Sequence, residues 1–248
     1  MLAAGGTAFL ALTKNNDAEL SAIATHYTPP TLPHMSSAPS APPSTMPSAT
    51  ATPTATPTPT SSASASVTPP RVVFLGDGYT ADGGSDLAHR FPALVGAAEK
   101  WDVQVISCEL AGYASTGNCG SAYAGFIPKI AAAHPDIVVV TGGRNDVAKA
   151  SNTAAAATSF FKQLTSALPE VTVYAVSPLW DDDPADAALG TVQQSVQTAA
   201  TASGATYLDI GEPLRGHPEL VKSDGVLPNN AGNAAIAQAI EAKLPPQP

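Results

Sequence analysis

From Arg71 onward the chain alternates short apolar runs with longer stretches of helical spacing. "RVVFL" (71–75), "VQVIS" (103–107), "DIVVVT" (136–141), "VTVYAV" (171–176) and "TYLDI" (206–210) read as five strands. Helices are predicted between and after them. One covers 91–101, with Pro92 in its first turn, where proline is tolerated. A second covers 121–134, and Pro128 either kinks it or delays its start. A third covers 153–168, with Phe160, Phe161, Leu164 and Leu168 at helical spacing. The last two cover 184–203 and 233–244. Strands that are apolar on both faces and separated by helices predict an α/β fold, with a parallel sheet covered on both sides. Ligands of such folds bind beyond the carboxyl ends of the strands. The loops after strands one, two, three and five are therefore where chemistry is expected.

Composition divides the chain before that pattern begins. Residues 28–70 hold half of the 24 prolines and no Lys, Arg, Asp or Glu. The remainder of that tract is mainly Ser, Thr and Ala, which cannot bury enough apolar surface to offset its ordering entropy. It reads as an extended, disordered linker. Residues 1–27 form an N-terminal tail, and 71–248 the folded domain. The apolar run Leu2–Leu12 is too short to span a bilayer and lacks the basic residues that precede a signal-peptide core. Followed by a Thr/Pro tether, it reads as the remnant of a signal or anchor. An extracellular or cell-envelope location is expected, with membrane anchoring through the N-terminus.

Charge narrows the partners. The net charge is −9, nearly all of it in 71–248, and no basic stripe is present. Nucleic acid is thereby disfavoured as a partner. Oligomeric state has no signal in the sequence. The two cysteines, Cys108 and Cys119, fit a disulfide in an exported chain; two free buried thiols are the alternative. Their spacing matches no zinc pattern.

The four loops read "GDGYTADGG", "ELAGYASTGN", "TGGRNDV" and "SDGVLPNNAG", and three of them combine glycine with Asn or Asp at the strand end. Glycine lets a backbone N–H approach a ligand closely, and an Asn amide adds a donor, so together they could cradle an oxyanion. Taken singly, each is also an ordinary turn. In this order, they resemble the SGNH/GDSL hydrolase family, especially its secreted actinobacterial-type members. The first block, Gly-Asp-Ser-x-Thr, matches Gly76, Asp77, Tyr79 and Thr80. The second supplies a glycine, Gly112, with Gly117 as the alternative. The third, Gly-x-Asn-Asp, matches Gly143, Asn145 and Asp146. The last, Asp-Gly-x-His-Pro-Asn-x-x-Gly, matches Asp224, Gly225, Pro228, Asn229 and Gly232.

The resemblance implies a three-layer α/β/α domain with a five-stranded parallel sheet, flavodoxin-like in order. It also implies ester hydrolysis or acyl transfer by Ser, His and Asp without a cofactor. The oxyanion would be held by the N–H groups at positions 78 and 112 and by the Asn145 amide. Two positions depart from the pattern. Gly78 stands at the nucleophile position and Leu227 at the base position. Loss of either such residue in a serine hydrolase costs on the order of 10⁶ in turnover. Asp224 is left with no imidazole to orient and reads as a turn or helix-capping carboxylate. Asp77 and Asp146 read as loop-bracing residues.

The resulting expectation is an inactive hydrolase-like domain whose retained cradle binds an acyl or carboxylate ligand, such as an acylated glycan or a lipid. One alternative is an active esterase with a relocated pair, Ser85–His217 or Thr80–His217. Another is an engineered inactive variant. His26 and His34 fall in the tail and linker, and His89 and His134 flank helices. The carboxylates of "WDDDPAD" (180–186) read as a solvated helix start rather than a metal site.

Overall fold

The computed structural model describes residues 68–81 and 86–246. The tail 1–27, nearly all of the linker, and Ser85 lie outside the described residues.

Five strands form one sheet: β1 (Arg71–Gly76), β2 (Asp102–Ser107), β3 (Ile137–Val140), β4 (Thr172–Val176) and β5 (Thr206–Leu208). All pair in parallel, in the order β2-β1-β3-β4-β5. This is the flavodoxin-like order. The chain runs from β1 to β2 on one side, then returns to place β3 on the other side of β1. The loops after β1 and β3 therefore diverge, which opens a crevice at the strands' carboxyl ends.

The two-sided apolarity of the strands has a direct structural reason. Val73, Leu75, Val138, Val140 and Val173 face α3 (Ile127–Ala132), α4 (Ala150–Ala167) and α5 (Ala187–Ala202), whose Phe160, Phe161, Leu164, Val192 and Val196 fill that core. Val72, Phe74, Val139, Tyr174 and Val176 face the other way, onto α2 (Phe91–Glu99) and α6 (Asn230–Glu241). Successive strand residues point to opposite faces, so every strand needs apolar residues at both parities.

The helix ends differ from the sequence reading for local reasons. α2 stops at Glu99 because Lys100 adopts a left-handed conformation with φ 58°. The expected helix 121–134 opens as a 3-10 turn over Tyr123–Phe126, and α3 begins only around Pro128. Pro128 thus delays the helix rather than kinking it. α5 starts after Asp186, whose side chain accepts from the Ala188 N–H at 2.7 Å. α6 begins at Asn230, earlier than expected, because Asn229 caps it through the N–H groups of Ala231 and Gly232. β5 is shorter than 206–210: the Ile210 N–H leaves the ladder for Ser177 Oγ at 3.0 Å. A four-residue helix, α1 (Gly78–Ala81), follows β1 directly and was not apparent in the sequence.

Candidate active site

β1 ends at a glycine that cannot be replaced without movement. A Cβ on Gly76 would stand 1.9 Å from Thr80 Oγ1 and 2.4 Å from Thr141 Oγ1. This close approach lets α1 fold back over the strand end. Asp77 closes the turn. Its carbonyl accepts from the N–H groups of Thr80 and Ala81, and its Oδ1 accepts from the Tyr79 N–H at 3.1 Å. Its Oδ2 accepts from Asn145 Nδ2 at 2.9 Å. Asp77 is buried, and burial raises its carboxyl to about 6, against the opposing pull of the Tyr79 N–H and Arg144.

The loops after β2 and β3 are locked together by a second buried carboxylate. Asp146 accepts from the Tyr113 N–H (2.7 Å) and the Ala114 N–H (3.0 Å). Gly112 makes room for it, because a Cβ there would lie 2.5 Å from both carboxylate oxygens. Ser115 Oγ donates to the Asn145 carbonyl at 2.7 Å. The cysteines are joined as a disulfide, Cys108–Cys119, within the same loop. Gly117, the alternative to Gly112, sits inside that loop with its N–H on the Ser121 carbonyl.

Two of the three expected oxyanion donors are committed within the protein. The Gly112 N–H donates to the Ser115 carbonyl at 3.0 Å. Asn145 Nδ2 donates to both Asp77 and the Ala111 carbonyl, each at 2.9 Å. The Gly78 N–H makes no hydrogen bond among the described residues. The cradle residues therefore converge, but as a braced network rather than as three donors open to a ligand.

Gly78 itself differs from Gly76, Gly112 and Gly117. The nearest heavy atom to a Cβ built there is Glu109 Cγ, at 3.7 Å, an ordinary contact. Its φ lies outside the left-handed region, so an L side chain meets neither strain nor overlap. The fold does not require glycine at 78.

The opposite wall is the segment 222–228. An antiparallel bridge, Val221 to Pro228, closes it. Inside, Asp224 Oδ1 accepts from the N–H groups of Val226 (2.9 Å) and Leu227 (3.0 Å), and the Lys222 N–H donates to the Leu227 carbonyl at 2.8 Å. These backbone donors hold the Asp224 carboxyl below the usual range. Asp224 is thus a turn brace, and the helix cap is Asn229. Leu227 is half-buried and packs against the core on the α2–α6 face.

A cluster with no sequence signal joins these walls. Arg144, the unspecified residue of the third block, donates from Nη2 to Asp181 Oδ2 at 2.7 Å and from Nη1 to Tyr79 Oη at 3.2 Å. Its guanidinium lies over the Trp180 ring, 4.1 Å from the centroid. Tyr79 Oη in turn donates to the Val226 carbonyl at 2.5 Å. Burial pushes the Tyr79 phenol well up, so it remains a neutral donor. Residues 79, 144, 181 and 226 share no sequence spacing, and only the folded sheet brings them together.

The relocated pairs fare differently. Thr80 is a buried residue of α1, with its Oγ1 2.5 Å from Thr141 Oγ1. His217 is exposed and pairs with Glu219 at 2.8 Å. The structure does not bring these two together, because Thr80 points into the core and His217 outward. His89 pairs with Asp86 on the surface. In the 180–186 run, Asp181 holds Arg144 and Asp186 caps α5. A shallow concavity lined by Ile127, Lys162 and Gln163 lies on the outer α3–α4 face, away from these loops. It carries none of this chemistry.

A family model for GDSL-like lipases/acylhydrolases matches residues 74–235, from within β1 into α6. The chain belongs to this GDSL-like lipase/acylhydrolase family. No curated protein sequence matches it. Solved structures share the fold at low identity. The TesA structure aligns with a TM-score of 0.57 and 17% identity, over 70% of this chain and 97% of that one. A psychrotrophic esterase EstA from Pseudoalteromonas sp. gives 0.54 and 16%, over 70% and 96%. A phospholipase A1 from Streptomyces albidoflavus NA297 gives 0.51 and 15%, over 71% and 100%. Their three-layer SGNH hydrolase architecture is the one described above.

Proposed function

We propose that this chain is a non-hydrolytic member of its family, an exported domain that binds an acyl group where relatives cut one. The observation that carries the reading is the pairing of Gly78 with Leu227. The nucleophile position has room for a side chain and has none, and the base position holds an apolar residue packed on the core. The surrounding braces are intact, so the residues at 78 and 227 leave the scaffold undisturbed. Export is supported by the Cys108–Cys119 disulfide, which belongs to oxidising compartments.

Local charge selects among the ligand classes. Asp77, Glu109, Asp146, Asp181 and Asp224 lie on the converging loops, against fewer cations: Lys149, Lys222 and the already paired Arg144. A free carboxylate would meet net repulsion there. Leu110 is 58% exposed and Val226 38%, and both lie on loops bordering position 78. A neutral acyl ester, such as an acylated glycan or a lipid ester, fits this rim better than an acid.

The test uses the full chain. It is expected to hydrolyse neither p-nitrophenyl acetate nor butyrate and to resist a serine-directed phosphonate. Labelling of Thr80 or Ser85 would overturn the non-hydrolytic reading. Acylated sugars should raise the melting temperature where free acids do not, and Gly78→Val, which fills the space, should abolish the rise. An equal shift in that variant would remove the binding site from position 78.

A further inference from the structure

The segment that carries Leu227 is exposed from Ser223 to Val226. Most of its hydrogen bonds are internal: Asp224 to the Val226 and Leu227 N–H groups, Lys222 to Leu227, and the Gly225 N–H to the Lys222 carbonyl. Among the described residues, one hydrogen bond reaches 222–227 from outside, Tyr79 Oη to the Val226 carbonyl. We propose that Tyr79, backed by Arg144, is the positioning residue that holds this segment, and with it position 227, over position 78. The proposal rests on the reading above that the binding site lies between those two positions.

The direction of the bonds makes the clamp one-way. A guanidinium has donors only, so Tyr79 Oη must accept from Arg144. Its single proton is then free for the Val226 carbonyl, and polarisation by the cation strengthens that donation. Arg144 is itself fixed on two sides, by the Asp181 carboxylate and by the Trp180 ring face. Asp181 and Trp180 follow β4, Arg144 follows β3, and Tyr79 follows β1. Three strand ends thus act together on one exposed segment. Tyr79 also adjoins Gly78, so the clamp measures position 227 from position 78.

Tyr79→Phe in the full chain tests this, because it removes the hydroxyl and keeps the ring. Hydrogen exchange at the Gly225, Val226 and Leu227 amides is expected to quicken about tenfold, the equivalent of one ordinary hydrogen bond. Trypsin cleavage after Lys222 should quicken in parallel, with β3 protection unchanged. The double variant Arg144→Met/Asp181→Asn, which removes the backing pair together, should give a smaller rise confined to the same amides. In a Gly78→Ser/Leu227→His background, Tyr79→Phe should lower kcat and leave KM unchanged. Unchanged exchange at 225–227, or a rise shared equally with β3, overturns the clamp. Faster local exchange beside a revertant that never hydrolyses ester would uphold the clamp and count against the proposed site instead.

Discussion

The two walls of the site are built in opposite ways. The floor, formed by the loops after β1, β2 and β3, is buried and cross-braced. Asp77 and Asp146 are 2% and 0% exposed, and each takes hydrogen bonds from another loop or from two successive backbone N–H groups. The wall at 222–228 is exposed and braced mostly within itself, by an aspartate in water. On the reading proposed above, each wall lacks the side chain that would react, at position 78 on the floor and at position 227 on the exposed wall. The scaffold does not depend on either position, because the bracing residues Asp77, Asp146 and Asp224 hold the loops and no side chain at position 78 or 227 makes such a brace. A nucleophile and a base can leave without disturbing packing where glycine is unstrained and leucine meets an apolar neighbour.

Restoring both reacting groups breaks that comparison most severely. Gly78→Ser with Leu227→His should create measurable p-nitrophenyl acetate hydrolysis and phosphonate labelling of the side chain introduced at position 78. A gain of at least about 10³ over the parent chain is expected, part of the roughly 10⁶ that an intact triad is worth. Either reversion alone should give almost nothing, since the groups act as one unit. An unlabelled, folded double revertant would mean the floor has diverged as well as the reacting groups.

Removal of a floor carboxylate comes next. Asp146→Ala leaves the Tyr113 and Ala114 N–H groups buried without an acceptor, which should cost about 3 kcal/mol in urea unfolding. A loss under about 1 kcal/mol would mean that the loop relaxes to bring water in, and that the floor is less rigid than its burial indicates.

The walls should also titrate in opposite directions. Burial raises Asp77 from 3.8 to about 6. The folded state then holds this proton more tightly than the unfolded chain. Its contribution to stability is complete below about pH 4 and is lost as pH rises through about 6, a difference of about 3 kcal/mol. Asp224 is shifted downward by backbone donors, so its contribution is present above the usual carboxylate range and fades as pH falls through its lowered value. Melting temperature followed from pH 4 to pH 7 should show the Asp77 slope, and Asp77→Asn should flatten it. An unchanged slope would assign it to other carboxylates.

Much of this was legible in the sequence, and the gaps have physical causes. Five strands could be read because both faces of each are buried, which leaves continuous apolar runs. The floor could be read as Gly-Asp and Gly-x-Asn-Asp because close approach at Gly76, a left-handed φ of 113° at Gly143 and bracing by Asp77 and Asp146 demand particular residues at fixed local spacing. The clamp could not be read. Arg144 stands where the block allows any residue, and its partners at 79, 181 and 226 meet only through the sheet order. Nor could the commitment of the Gly112 N–H to Ser115 and of the Asn145 amide to Asp77 and Ala111, because a motif names the donor and not its acceptor. The turn at Tyr123–Phe126 was missed for a related reason: apolar spacing alone does not distinguish a 3-10 turn from the helix that Pro128 starts.

The smallest expected effect is also the clearest contrast between the walls. Asp224→Ala removes an acceptor that serves two backbone N–H groups, just as Asp146→Ala does. The number of lost hydrogen bonds is the same, and the environment differs. At 224 water reaches the freed N–H groups at once, so the cost should be about 0.5–1 kcal/mol, typical of a solvent-exposed turn or cap contact. Exchange should quicken at Val226 and Leu227 and nowhere in β3. If Asp224→Ala instead cost as much as Asp146→Ala, the 222–228 segment would be carrying fold stability through contacts beyond its own turn. The division into a structural floor and a dispensable wall would then fail at the point where it is most exposed to measurement.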